Sequence, residues 1–185
     1  MEAATIEKRK FTYKDYLKTP EDKRYELIEG ELIMTPSPVP YHQWISKNIL
    51  YELEQFVRER KIGKVFDAPC DVYLDDENVL QPDILFISNE HAGIICEKNV
   101  QGAPDLVIEI LSENSAYRDM VRKKKLYSRF KVKEYWIVDP FEKTIDIYSL
   151  EDCGFVLERT FSESQILESP LLNGLKITLS DVFAF

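Results

Sequence analysis

The sequence contains few of the residues that build the commonest metal and disulfide sites. Its 185 residues include two histidines, three cysteines and six glycines. Cys70, Cys96 and Cys153 lie far apart without a Cys-x-x-Cys pair, which argues against a disulfide scaffold and against a cysteine-based zinc site. Two histidines cannot build a multi-histidine metal site. Any chemistry is therefore expected to rest on carboxylates, lysines and hydroxyls.

Motifs for nucleotide binding and for nucleophilic catalysis are also missing. The chain has no G-x-x-x-x-G-K-[ST] phosphate loop, no G-x-G-x-x-G motif and no G-x-S-x-G nucleophile elbow. Its apolar runs are of strand length, far below the roughly 18–20 residues that a membrane helix needs. Charged residues among the first ten are unlike a signal peptide. Together with the scattered thiols, these features predict a soluble, cytoplasmic protein.

The composition favours a packed domain with an acidic balance. Apolar residues make up 44% of the chain, and the length fits one domain over residues 1–185. Thirty-three acidic against 24 basic residues give a net charge of −9, which argues against a protein that coats nucleic acid. However, residues 117–133 hold eight basic residues and one acidic residue. Local contact with one phosphate backbone therefore stays compatible with the total charge.

The apolar pattern predicts helices and strands in a mixed order. Thr12 and Asp15 resemble a capping box, Gly30 marks a hairpin turn, and Gly63 is expected to cap the longest helix. The predicted helices cover residues 12–18, 41–61 and 115–130, and the predicted strands cover residues 25–29, 31–35, 64–68, 71–74, 80–87, 104–111, 133–138, 144–150 and 155–160. This order favours a mixed α/β or α+β sheet over a doubly wound parallel sheet.

Two acidic residues lie inside apolar stretches that are predicted strands. Asp83 precedes Ile-Leu-Phe-Ile, and Glu109 lies between two isoleucines. An ionised carboxylate on a buried strand costs several kcal/mol unless a cation faces it. The basic helix that follows offers three cations: Lys123, Lys124 and Lys125. Only one of them can point at Glu109, because successive helix residues are about 100° apart.

This pair of acids has two interpretations. If the strands pair, two carboxylates and one ammonium group converge, and hard oxygen ligands without thiolates select magnesium or manganese over zinc. Alternatively, each acid is an outward residue of an edge strand or part of a structural ion pair. The combination of both acids with a basic helix favours the first interpretation. The strand period also predicts that Gln81 shares a face with Asp83.

These residues resemble a known nuclease signature. Gln81-Pro82-Asp83 and Glu109 are similar to the two halves of the PD-(D/E)xK motif, in which two acids hold a metal ion and a lysine positions the attacking water. The lysine expected two positions after the second acid is replaced by Leu111. The following helix supplies lysines instead.

Further segments extend the resemblance to the bacterial Uma2 family, which is abundant in cyanobacteria. They occur in the family's order: Tyr25-Glu26-Leu27-Ile28-Glu29-Gly30-Glu31-Leu32, Val39-Pro40-Tyr41-His42, Arg118-Asp119, Lys123-x-x-x-Tyr127 and Glu134-Tyr135-Trp136-Ile137-Val138-Asp139-Pro140. The resemblance covers about residues 25–150. It implies a restriction-endonuclease-like fold, with a mixed β-sheet flanked by helices, an N-terminal hairpin and additional C-terminal strands. It also implies an endonuclease that acts on nucleic acid, more often DNA, and that forms homodimers.

Carried over residue by residue, the resemblance also implies the site. Asp83, Glu109 and a backbone carbonyl near Ile110 would hold Mg²⁺ or Mn²⁺, and Lys123 would position the water, with Lys124 and Lys125 not excluded. Lys125 is also a possible auxiliary residue. The resemblance implies auxiliary roles for Glu31 and His42, and the strand face that Gln81 is predicted to share with Asp83 adds Gln81 as a further candidate. A structural role stays open for each of these three: Glu31 as an exposed hairpin residue, His42 as a helix-terminus or core histidine, and Gln81 as a plain strand residue.

Two other functions stay open. The replacement of the expected strand lysine by Leu111 is compatible with a catalytically inactive member of the fold that binds nucleic acid or protein. A carboxylate pair also serves glycoside hydrolases, although their sites usually recruit aromatic platforms and need no lysine.

Asp119 is expected to be a first-turn helix acid rather than a ligand. Tyr135 and Trp136 are expected in the core rather than in base stacking.

Overall fold

A computed structural model describes residues 9–20, 22–112 and 116–185, without the side chains of residues 116–120. The helices are α1 (Tyr13–Tyr16), α2 (Pro40–Arg60), α3 (Ala116–Arg129) and α4 (Leu179–Phe183), and a 3₁₀ helix covers Asn89–Ile94. The strands are β1 (Arg24–Ile28), β2 (Glu31–Thr35), β3 (Gly63–Asp67), β4 (Val72–Asp75), β5 (Asn78–Leu80), β6 (Ile84–Ser88), β7 (Val100–Gln101), β8 (Leu106–Ile110), β9 (Glu134–Asp139), β10 (Thr144–Glu151), β11 (Gly154–Ser162), β12 (Ile166–Glu168) and β13 (Lys176–Thr178). None of the helices in these ranges is long and apolar enough to cross a membrane.

The strands form a mixed central sheet and a second sheet that contains the hairpin. The central sheet has the order β11-β10-β9-β8-β6-β3, in which β8 and β9 are parallel and the other neighbours are antiparallel. The second sheet has the order β2-β1-β5-β4-β7, and β12 pairs with β13. The prediction of a mixed sheet flanked by helices, with an N-terminal hairpin and extra C-terminal strands, is confirmed.

Two helices cover opposite faces of the central sheet. Helix α2 buries Ile45, Ile49, Leu53 and Val57, at i, i+4, i+8 and i+12, against one face. Helix α3 buries Leu126 and Tyr127 in a separate cluster that also contains residues of β8, β9 and the hairpin. Helix α3 therefore packs between the central sheet and the hairpin. This packing brings residues far apart in sequence to its buried face.

The prediction that Gly63 caps the long helix is wrong. Helix α2 ends at Arg60, and Lys61 takes the left-handed backbone conformation with φ of 55°. Gly63 is instead the first residue of β3, opposite Ser88 of β6. A Cβ atom at Gly63 would lie 2.2 Å from the Ile87 carbonyl oxygen. Glycine is needed there because two strands approach closely, not because a helix ends.

The stretch 80–87 is two strands rather than one. Strand β5 ends at Leu80 and belongs to the hairpin sheet, whereas β6 starts at Ile84 in the central sheet. Between them lies Gln81-Pro82-Asp83, where a proline cannot donate a ladder hydrogen bond. The predicted shared strand face of Gln81 and Asp83 therefore does not exist.

Some elements were not predicted, and some boundaries differ. Strands β7, β12 and β13 and helix α4 are short, and their apolar residues are too few to give a clear period. Helix α1 has the predicted capping box of Thr12 and Asp15 but ends at Tyr16. Ser115, the predicted start of α3, lies outside the described residues.

Candidate active site

Asp83 and Glu109 meet where β6 and β8 pair. The register aligns Ile84 with Ile108, so the residue before β6 lies beside Glu109. The backbone N–H of Ile110 donates a hydrogen bond of 2.8 Å to Oδ2 of Asp83. Glu109 is only 6% exposed and lies on the β8 face that α3 covers. The two acids singled out in the sequence are therefore neighbours.

Lys123 is the lysine that faces these acids. Its Nζ lies 3.1 Å from each carboxylate oxygen of Glu109, and the residue is 8% exposed. Tyr127, one helical turn later, donates its hydroxyl to Oε1 of Glu109 at 2.7 Å. The next two lysines point elsewhere: Nζ of Lys124 lies 3.3 Å from the Tyr148 ring centroid, and Lys125 is exposed.

Glu26 is a third acid in this cluster and was not among the predicted site residues. It lies on β1 and is 5% exposed, with Oε1 2.8 Å from Nζ of Lys123. The same oxygen accepts a hydrogen bond of 2.9 Å from the backbone N–H of Gln81. A signal was present, because Glu26 lies between Tyr25 and Leu27 in a stretch that is predicted to be a strand. This is the same pattern that singled out Glu109.

Negative charge exceeds positive charge in this cluster. Burial raises the pKa of Glu109 to about 7, with Glu26 and Asp83 adding to the effect and Lys123 opposing it. Burial alone would lower the pKa of Lys123, but the surrounding carboxylates outweigh it and raise that pKa. Glu26 and Glu109 therefore contact one buried ammonium group, and Asp83 acts on it electrostatically. A divalent cation would offset the remaining charge.

His42 contacts the cluster at Asp83. It follows Pro40 in the first turn of α2, and its Nε2 lies 3.3 Å from Oδ2 of Asp83. Its Nδ1 is buried and has no hydrogen-bond partner among the described residues. Burial lowers the pKa of His42, but Asp83, the Ile110 backbone and Glu109 together outweigh burial and leave the pKa raised. The imidazole is therefore placed to contact the Asp83 carboxylate.

The contacts of Glu31 and of the Gln81 side chain with other described residues lie outside this cluster. The Glu31 carboxylate lies 3.0 Å from Nη1 of Arg122 at the hairpin surface. The Gln81 amide donates to Asp71 at 2.7 Å and accepts from Arg24 at 3.1 Å, so only its backbone reaches Glu26. The side chain of Asp119 lies outside the described part of the chain.

Acids from other elements neutralise much of the basic run. Among the side chains of this run that the structure describes, Lys123 is buried, and three further cations form ion pairs: Arg122 with Glu29 and Glu31, Arg129 with Asp75 and Lys133 with Asp105. The exposed residues Lys125 and Lys131 belong to the same run. The run is therefore partly an internal ion-pair network and only partly a surface for phosphate groups. Tyr135 and Trp136 are fully buried, as predicted.

The donor atoms fit a magnesium-type ion with few protein ligands. Among residues 9–20, 22–112 and 116–185, no three acidic, histidine or cysteine side chains form a ready-made metal cage. Asp83, Glu109 and the carbonyl of Ile110 nevertheless offer hard oxygen atoms. Mg²⁺ usually binds through one or two carboxylates and keeps water or substrate phosphate in its other positions. The hard oxygen donors are therefore compatible with Mg²⁺ or Mn²⁺, and the described part of this site offers neither the cysteines nor the several histidines of the usual zinc sites.

Comparison with known proteins gives a family and a fold. The sequence model of the Uma2 family, described as "Putative restriction endonuclease", matches residues 13–180. The fold is similar to a solved structure from Anabaena variabilis, described as "a putative nuclease belonging to DUF820". That likeness has a TM-score of 0.79 and 22% identity, and covers 94% of this chain and 98% of the other. No curated protein matches the chain.

Proposed function

The chain belongs to the Uma2 family of restriction-endonuclease-like proteins, and on this premise we propose that it is a divalent-metal-dependent nuclease that hydrolyses phosphodiester bonds. The observation that carries the proposal is the contact between Lys123 and Glu109 beside Asp83. Two acids and one buried ammonium group are the set that the nuclease signature requires. Here the ammonium group comes from α3, because the usual strand position is occupied by Leu111.

We assign the metal-binding role to Asp83, Glu109 and the Ile110 carbonyl. When bound there, Mg²⁺ or Mn²⁺ polarises a phosphate oxygen and lowers the pKa of a coordinated water molecule. Tyr127 holds Oε1 of Glu109 through its hydrogen bond of 2.7 Å, which limits the rotation of that carboxylate. Donors that hold a metal ligand in one orientation support both affinity and activity.

Lys123 has two roles in the proposed reaction. Its ammonium group orients the attacking water, and its positive charge offsets the negative charge that grows on the phosphate. Hydrolysis forms one phosphorus–oxygen bond to water and breaks one to the leaving sugar oxygen. His42, which contacts Asp83, is the candidate outer ligand or proton acceptor. Glu31 stays the weaker auxiliary candidate, because its carboxylate contacts Arg122.

We further propose a duplex DNA substrate and a homodimer. The family description, which names restriction endonucleases, favours DNA over RNA. Cutting both strands of a duplex requires two sites, and a two-fold dimer supplies them. We also treat residues 1–185 as one domain, because the family match spans residues 13–180 and the similar structure covers 94% of the chain.

The test is a cleavage assay on double- and single-stranded DNA and on RNA, with Mg²⁺, with Mn²⁺ and with a chelator. We expect cleavage that requires the ion and that disappears in Asp83→Ala and Glu109→Ala. Glu163→Gln, a change at an exposed ion pair with Lys143, is the control and should cleave like the wild type. Cleavage that is equal in the wild type and in both alanine variants would contradict the proposal.

A second candidate function is a non-catalytic module that binds nucleic acid or protein. The observation that favours it is Leu111, which replaces the lysine expected on the strand. We rank it second because Lys123 supplies an ammonium group 3.1 Å from the same Glu109 carboxylate. Calorimetry with Mn²⁺ separates the two functions, because a vestigial site should give no binding heat.

A further inference from the structure

Glu26 is a buried carboxylate that the proposed reaction does not use. It reaches Lys123 from β1, whereas Glu109 reaches the same ammonium group from β8. The distances to Nζ are 2.8 Å from Glu26 and 3.1 Å from each oxygen of Glu109. Lys123 is therefore shared between two carboxylates that belong to different sheets.

A hydrogen-bond network holds Glu26 in this orientation. The Gln81 N–H that donates to Glu26 is itself fixed, because the Gln81 side chain donates to Asp71 at 2.7 Å and to the Tyr16 hydroxyl at 3.2 Å. Tyr16 also donates to Asp71 at 2.8 Å. The segment that carries Asp83 thus also orients Glu26. A carboxylate held so firmly can hold a cation in one place.

The contacts of Glu109 show why Lys123 needs a second partner. Both carboxylate oxygens of Glu109 contact Lys123, and Oε1 also accepts the hydrogen bond from Tyr127. A divalent cation that takes an oxygen of Glu109 must displace the ammonium group from that oxygen. A buried ammonium group without a partner is strongly unfavourable. Glu26 offers a carboxylate that Lys123 already contacts.

We propose that Glu26 is a positioning residue that keeps Lys123 in the site when a divalent cation takes Glu109. This inference rests on the proposed nuclease function. Glu26 then acts through Lys123 and is not a ligand of the ion. Its role differs from that of Glu31, whose carboxylate is held by Arg122 at the surface.

The proposal predicts that the effect of Glu26 depends on Lys123. Without the Glu26 charge, the ammonium group has Glu109 as its main partner and competes more strongly with the ion. Glu26→Gln keeps the shape and the acceptor oxygen for the Gln81 N–H, so the charge alone is removed. Lys123→Met removes the competitor and should strengthen ion binding. In the Lys123→Met background no ammonium group remains for Glu26 to position, so Glu26→Gln should have little effect on ion binding.

A double-mutant cycle tests this dependence. Mn²⁺ affinity is measured by calorimetry for the wild type, Glu26→Gln, Lys123→Met and the double variant. We expect Glu26→Gln to weaken Mn²⁺ binding about tenfold in the wild type, the range seen for residues that orient metal ligands, and less than about twofold in the Lys123→Met background. Glu77→Gln, at an exposed ion pair with Lys10, controls for the loss of one negative charge.

Two results would overturn the proposal. An equal loss of affinity in both backgrounds would mean that Glu26 acts on the ion directly. No loss in either background would mean that Glu26 has no part in the site. Urea unfolding of the same four proteins in the presence of a chelator gives a readout without metal. We expect the unfolding constant of the double variant to differ by about fivefold or more from the value that additive effects of the two substitutions would give.

The failure of the proposed function would be seen separately. If the wild type binds no Mn²⁺ and cleaves no nucleic acid, the nuclease proposal fails. The inference, which requires an ion at Glu109, then fails with it. If the wild type binds Mn²⁺ and either of the two results above is obtained, the inference alone fails. Additive effects of Glu26→Gln and Lys123→Met in the unfolding cycle overturn the inference in either case, because they contradict the pairing on which it depends.

Discussion

Tyr127 donates its hydroxyl hydrogen to Oε1 of Glu109 at 2.7 Å, and both side chains are buried between α3 and β8. The tyrosine lies one turn after Lys123, so one face of α3 supplies both contacts to the same carboxylate. A second buried tyrosine, Tyr135, lies with its ring centroid 5.4 Å from that of Tyr127. Its hydroxyl has no hydrogen-bond partner among the described residues. The two tyrosines therefore form a matched pair for experiment.

Tyr127→Phe should reduce cleavage while the protein stays folded. The ring still fills its place in the apolar cluster, but Glu109 loses the donor that limits its rotation. We expect activity to fall about tenfold or more, as for other residues that orient metal ligands. Tyr135→Phe is the control, and should keep activity and leave stability unchanged or higher because it removes an unpaired buried hydroxyl. Equal activity losses in both variants would contradict a specific role for Tyr127.

Lys123→Met should abolish cleavage more completely than any other lysine substitution on α3. The change removes the ammonium group that contacts Glu109 and keeps most of the apolar stem. We expect a loss of about two to three orders of magnitude, typical of removing one donor that stabilises transition-state charge. Steady-state cleavage of a fluorescent oligonucleotide measures this loss. Lys124→Met, at a side chain that contacts Tyr148, should stay within about threefold of wild type, since it lies outside the site.

Gly63→Ala should destabilise the fold strongly. The added Cβ atom would lie 2.2 Å from the Ile87 carbonyl oxygen and 2.6 Å from the Phe86 ring. Because backbone atoms cannot move away easily, we expect a loss of about 3 kcal/mol in the free energy of unfolding. Gly93→Ala is the control, as nothing lies within 4 Å of its added Cβ. Urea unfolding measures both, and similar midpoints would contradict the close approach of β3 and β6.

The Asp105 carboxylate should make stability depend on acid pH. Burial would raise the pKa of Asp105, but hydrogen bonds from Lys133 and from the Ser88 N–H outweigh burial and lower that pKa. A folded-state pKa below the unfolded value of about 3.9 stabilises the protein above that pH. This stabilisation is lost as the pH falls through the folded-state pKa.

Lys133→Met tests this pH dependence. Asp105 would lose a partner at 2.8 Å, so its pKa should rise and the loss of stability on acidification should begin at a higher pH. At neutral pH we expect a cost of about 1 kcal/mol, because the Lys133 side chain is partly exposed. Urea unfolding between pH 3 and 7 measures the effect. Lys143→Met, at an exposed pair with Glu163, should leave the pH profile as in the wild type.

Several features could be predicted from local sequence alone. The hairpin around Gly30 and the long amphipathic helix follow from periods of two and 3.6 residues, which are properties of neighbouring positions. Asp83 and Glu109 could be selected from the sequence because an acidic residue in an apolar stretch is recognised from its neighbours along the chain. Glu26 carried the same signal, but charged residues flank its strand on both sides: Arg24 begins it, and Glu29 and Glu31 follow it.

The tertiary structure decided which charges meet. Three consecutive lysines are equivalent in sequence, and only the packing of α3 between β8 and the hairpin turns Lys123 inward. The same packing brings in Glu26, which lies 83 positions from Glu109 in the sequence. The role of Gly63 is likewise set by the tertiary structure, because the close approach of Ile87 is a contact between strands. Local periodicity determines the helices and strands. The partner of a buried charge depends instead on how distant elements pack, because a short electrostatic contact is set by position in space and not by order along the chain.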